Sequence, residues 1–294
     1  MRRATHPESA YIIKGSDFFM NHSPHILSGR IRQYLSLFIL TPAVLAAVFM
    51  LAACLTQYDA PDANYFSRGA VLPILASVFA LVAAISGTVI AFLFPRSAHP
   101  TDSLPAPFAS FVSAGGFLLC AVTLTVSAVR TGFKWYHAVT LILLLLSTAY
   151  FCLRACDRFT EFLRDLTVLL GIAPIFALIF LCAIHYFDRS VEMNAPAKVT
   201  VLIGLLTAMV TVTNGIRYLL GTALPRVFLM LSSWTVAAGS LTVLALPALF
   251  LSGAFDKTAY LASAFAILGC SVSSGIRIVS LLRNANLPTE VSES

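Results

Sequence analysis

Eight apolar stretches, almost free of charge, fill the chain from Tyr34 to Leu282. A bilayer core of about 30 Å takes about 20 apolar residues per helical crossing. The stretches run over 34–56, 70–94, 107–129, 135–155, 163–186, 197–220, 226–251 and 258–282. The chain is 59% hydrophobic and 11% charged, where a soluble domain carries about 25% charged residues. Water cannot be the solvent for that much apolar surface, so lipid must take its place. The pattern predicts an all-α polytopic bundle of eight spans, with a basic tail over 1–33, a transmembrane domain over 34–283 and a short tail over 284–294.

The apolar run after residue 33 is too long for the short core of a cleavable signal peptide. Met20 is a second candidate start, because the segment after it still supplies a basic flank. Breakers separate the spans: Asp59-Ala60-Pro61-Asp62, Pro95-Arg96 through Pro107, Asn194-Ala195-Pro196 and Ser252-Gly253. Pro42, Pro73, Pro174 and Pro247 fall inside the predicted spans and predict kinks, since proline removes a backbone donor and crowds the carbonyl four residues back.

Charge sets the expected orientation. With both termini inside, 13 of the 19 Lys and Arg fall on the cytoplasmic side and 6 on the outer side, the bias of the positive-inside rule. Tyr58, Tyr65 and Phe66, then Trp135-Tyr136-His137, then His185-Tyr186-Phe187 fall together at the proposed outer interface, as aromatic belts do. The net charge of +6 reads as orientation charge rather than a nucleic-acid surface, because no basic patch is interleaved with aromatics.

The spans also suggest a repeat. Thr213-Asn214-Gly215-Ile216-Arg217 ends the sixth, and Ser273-Ser274-Gly275-Ile276-Arg277 stands 60 positions later in the eighth. Ser86-Gly87-Thr88 and Ser147-Thr148-Ala149 occupy similar places in the second and fourth. Four tandem α-hairpins are expected, although small and hydroxyl residues recur wherever membrane helices pack closely.

Ionisable residues inside a membrane are the default functional pointers, and here they are scarce. Arg217 and Arg277 read as topology anchors at span ends, and no span has an acid in its middle. That argues against proton coupling and acid chemistry. Thr200, Thr207, Thr211 and Asn214 share one face of the sixth span, and Ser263, Cys270 and Ser274 repeat the spacing in the eighth. Thr207, Thr211, Asn214 and Ser274 are therefore the candidates for a polar path, or for interhelical packing by hydrogen bonds. Enzyme motifs fail: no H-E-x-x-H helix is present, and Ser240 and Ser271 follow glycines without a mid-membrane His as base. Cys152 and Cys156 stand four apart with no His near in sequence, so neither a metal nor another cofactor is expected.

The loop Glu192-Met193-Asn194-Ala195-Pro196-Ala197-Lys198, the span end Gly215-Ile216-Arg217-Tyr218-Leu219-Leu220-Gly221 and Pro225-Arg226 resemble uncharacterised multi-span membrane proteins of Firmicutes-type bacteria. In those proteins an acid often stands three positions before the span-ending arginine; here that place is Asn214. The resemblance implies a topology and a bacterial plasma membrane, and carries no activity. Three function classes stay open. They are a non-catalytic subunit or scaffold with a membrane-protein partner or a second copy, a transporter or channel for a small neutral or weakly polar solute, and an intramembrane enzyme.

Overall fold

The structure is a computed structural model, and it describes residues 29–58, 66–67, 69–93, 105–156, 161–220 and 224–284. Most of the two predicted tails, Met20, and the linkers at 59–65 and 94–104 lie outside the described residues. Among the described residues, ten α-helices make up the bundle: α1 (Gly29–Thr56), α2 (Leu72–Leu93), α3 (Pro105–Thr131), α4 (Trp135–Cys156), α5 (Glu161–Leu170), α6 (Ile172–Phe187), α7 (Pro196–Leu219), α8 (Pro225–Ser240), α9 (Ala245–Leu251) and α10 (Thr258–Asn284). They supply eight segments long and apolar enough to cross a membrane, from Tyr34–Thr56 to Thr258–Arg283. The chain is a multi-pass membrane protein. An even number of crossings returns α10 to the face from which α1 starts, called here the terminal face.

Ten helices make eight spans because two spans are interrupted. In the fifth, α5 ends at Leu170, Gly171 makes a turn, and α6 begins at Ile172 with Pro174 in its first turn. Pro174 has no N–H for the Leu170 carbonyl, while the Gly171 N–H closes the turn on the Thr167 and Val168 carbonyls at 3.0 and 3.1 Å. In the seventh, Pro247 frees the carbonyl of Val243 in the same way, and residues 241–244 form a turn between α8 and α9. Two of its N–H groups are satisfied locally: those of Thr242 and Val243 both donate to the Gly239 carbonyl, at 3.0 and 2.9 Å. Pro42 leaves α1 continuous, and Pro73 sits in the first turn of α2, where its missing donor costs nothing.

The hairpins exist as neighbours, with α1 beside α2, α3 beside α4, α6 beside α7 and α8 beside α10, but they are not lined up in a row. The last span is the hub. α10 packs on α3, α7, α8 and α1, and 56% of its apolar window is buried, against 28% for the fourth span. The α3–α10 crossing brings backbone against backbone: a Cβ on Gly116 would stand 2.7 Å from the Gly269 Cα, and Ser113 Oγ donates to the Gly269 carbonyl at 3.3 Å. Gly115, by contrast, faces open space. Two apolar cores share α10. One gathers Phe117, Tyr150, Leu178, Leu205 and Ile267 from α3, α4, α6, α7 and α10. The other gathers Ile39, Ala83, Leu229 and Ile278 from α1, α2, α8 and α10. Outward residues such as Ile74, Phe92 and Val129 stay exposed, and lipid is their environment.

Candidate functional site

The polar groups fall into three sets, in the bundle interior, at the terminal face and at the opposite face. The interior set contains the predicted stripe, and the helices pull it apart. Thr207 turns its hydroxyl back onto its own helix, donating to the Ile203 and Gly204 carbonyls at 3.0 Å. Thr211 is buried and pairs across α7–α8 with the Thr235 hydroxyl, and it also reaches the Leu231 carbonyl at 3.1 Å. Thr235 donates to the Thr207 carbonyl at 3.1 Å, and Ser271 of α10 donates to the Thr235 carbonyl at 3.0 Å. One chain of hydroxyls and carbonyls thus joins α7, α8 and α10. Asn214 and Ser274 are buried near the terminal end of the same helices. The Asn214 amide nitrogen and the Ser232 hydroxyl, both buried, have no hydrogen-bond partner. Thr235 and Ser232 carry no periodicity that singles them out in the sequence; they matter because α8 runs antiparallel to α7.

At the terminal face the two predicted anchors differ. Arg217 is exposed. Arg277 is half-buried and donates through Nη2 to Ser110 Oγ of α3 at 3.4 Å. Arg154, at the end of α4, donates to the Tyr150 hydroxyl at 3.2 Å and to the Gly215 carbonyl at 3.5 Å. Both guanidinium groups reach Gly215. A Cβ there would stand 3.1 Å from Arg154 Nη1 and 3.7 Å from Arg277 Nη1. In the sequence Arg154 is one of the 13 Lys and Arg of the cytoplasmic side, and nothing local shows that α4, α7 and α10 meet at this level.

At the opposite face, Lys198 in the first turn of α7 is only 2% exposed, and Nζ donates to the Asp188 and Val191 carbonyls at 2.6 and 3.2 Å. His185 of α6 lies against the Tyr260 ring with centroids 4.2 Å apart, and its Nε2 meets Ser263 Oγ of α10 at 2.6 Å. A hydroxyl on an imidazole is the opening of a nucleophile–base pair. Two facts oppose that use: Ser263 and His185 are 0% and 1% exposed, and Nδ1 has no partner to orient the ring. Nearby, Leu241, Ala245 and Leu249 of the interrupted seventh span line an apolar recess with Met50, Tyr58 and Pro196, about 10 Å³ in volume, which is about one water. Burial, and then the neighbouring Cys54, push the Tyr58 hydroxyl there up to about 12.

Among the described residues, no three His, Cys, Asp or Glu side chains gather as metal ligands, and all six cysteines are free. Comparison with known proteins finds no match among family models, curated proteins or solved structures. The resemblance drawn on the segment 192–226 therefore rests on its residues alone.

Proposed function

We propose that the protein is a non-catalytic subunit or scaffold of a bacterial plasma membrane, with both termini cytoplasmic and a membrane-protein partner or a second copy of itself in the bilayer. One observation carries this reading: the hydroxyls of Thr211, Thr235 and Ser271 are engaged in bonds between the last three spans rather than facing a shared path. Hydroxyls that serve packing hold helices together at about 0.6–2 kcal/mol per contact, and a solute path needs them open to water. The excess of Lys and Arg on the terminal side supports the orientation.

The second reading is passage of a small neutral or weakly polar solute. The unpartnered Asn214 and Ser232 groups favour it, as does the interruption of the seventh span at 241–244, because discontinuous helices accompany binding sites in transporters. Cysteine accessibility separates the two. On the scaffold reading, Thr211→Cys and Asn214→Cys react with a membrane-impermeant thiol reagent no faster than the native cysteines, and proteoliposomes swell in glycerol or urea no faster than empty vesicles. Rapid labelling at both positions, with swelling that Asn214→Leu abolishes, replaces the scaffold with a path.

A further inference from the structure

We propose that Asn214, Ser232 and Ser274 hold one small neutral hydrogen-bonding molecule, water by its chemistry, inside the bundle. The site follows from the ladder that joins α7, α8 and α10. In the closed layer of that ladder the Thr211 and Thr235 hydroxyls pair directly, and Ser271 Oγ donates to the Thr235 carbonyl. α8 runs antiparallel to α7 and α10. One turn toward the terminal face is therefore three residues forward on α7 and α10 and three residues back on α8. The residues that stand there are Asn214, Ser274 and Ser232. They form a second polar layer stacked on the first, and all three are buried, at 4%, 2% and 0% exposure.

The two layers close differently. Across the first, each hydroxyl reaches another hydroxyl or a facing carbonyl. In the second, the Asn214 amide nitrogen and the Ser232 hydroxyl meet no protein partner. Ser232 is unlike its neighbour Ser233, whose hydroxyl turns back to the Leu229 carbonyl at 2.7 Å. A stranded buried donor is costly, and an internal water makes about three hydrogen bonds to groups of this kind. Water suits this layer because its oxygen accepts from the amide while its hydrogens go to serine oxygens. An amide N–H repels a cation, and the three side chains carry no formal charge, so a monatomic ion would sit there without a charged partner in its shell. A resident water gives Asn214 and Ser232 a partner without opening a path, so the inference stands apart from both functional readings.

The test uses the full chain in phosphatidylcholine bilayers, isotopically labelled at the nitrogens of asparagine and the carbonyl carbons of threonine. Thr213-Asn214 is the only Thr-Asn pair in the chain, so the Asn214 signals are assigned without a variant. Proton-detected solid-state NMR then reads magnetisation transfer from water to the Asn214 side-chain amide. Transfer is expected in the wild type despite the burial of the residue. Ser232→Ala should weaken it by roughly twofold or more and lower the melting temperature by roughly 2 °C or more. Thr123→Ala, at an exposed hydroxyl that bonds its own helix, should change neither. Exchange of chloride for bromide or gluconate should leave the wild-type transfer as it was. Absence of transfer in the wild type overturns the proposal, and that measurement holds even where Ser232→Ala does not fold. A folded Ser232→Ala that melts no lower than the wild type also overturns it, because removal of a truly stranded hydroxyl costs nothing. Loss of transfer in bromide overturns it in favour of an ion.

Discussion

Both ends of this bundle draw cationic side chains inward, and they treat the charge in opposite ways. At the face away from the termini, the loop between α6 and α7 folds over Lys198 so that two backbone carbonyls meet its ammonium group. At the terminal face, Arg154 and Arg277 arrive from different helices at one glycine, and Arg154 finds two neutral oxygens at longer range. The first arrangement uses the cation as a structural bolt. The second brings two guanidinium groups from different helices to one backbone position. How firmly a charge at a membrane boundary serves the fold thus depends on what the adjoining backbone offers it, not on its depth alone.

The largest test of this contrast is Lys198→Met. The substitution keeps the length of the side chain and strands the Asp188 and Val191 carbonyls beside an apolar neighbour. Unsatisfied buried acceptors cost about 1–3 kcal/mol each, so the variant should lose about 3 kcal/mol in an unfolding titration from mild detergent into denaturing detergent. A loss below about 1 kcal/mol would mean that water replaces the ammonium, and that the opposite face is no better sealed than the terminal one.

The sequence legibly encodes what depends on composition and period. Eight spans emerge within a few residues of their observed ends, because bilayer thickness leaves helix length little freedom. The close approach of Gly116 to Gly269 has no local signature, since the contact joins helices 153 positions apart, and the adjacent Gly115 faces open space. The proline signals were half-readable. Pro174 and Pro247 mark real interruptions, whereas Pro42 sits in an unbroken helix, and the difference is tertiary. The stripe Thr200, Thr207, Thr211 and Asn214 is legible as one face of the sixth span, but the partner of each group is not, because Thr211 turns to α8 while Thr207 bonds its own helix. His185 read as an outer-end residue; its pairing with Ser263 spans 78 positions and has no local signature.

That pairing gives the second test, of intermediate size. Ser263→Ala removes the one hydrogen bond of a fully buried imidazole and creates little cavity. The expected loss is about 1–2 kcal/mol, the cost of a stranded buried polar group, in the same titration. If the pair belongs to the sealed structure of this face, Ser263→Thr should restore most of that loss, since it returns the hydroxyl. A reaction of wild-type Ser263 with a serine-directed fluorophosphonate would contradict this reading, because it requires the access that complete burial denies.

The smallest expected effect is the most informative. Arg154→Met in phosphatidylcholine removes contacts to the Tyr150 hydroxyl and the Gly215 carbonyl, which on the argument for Lys198 would be costly. At the terminal face it also removes one of two neighbouring like charges, and a half-buried site near the membrane boundary lets water take over the freed oxygens. The two terms oppose each other, so the stability should stay within about 1 kcal/mol of wild type, on either side of zero. A loss in neutral lipid as large as that of Lys198→Met would show Arg154 to be a second bolt, and the two faces would then differ in sequence but not in kind.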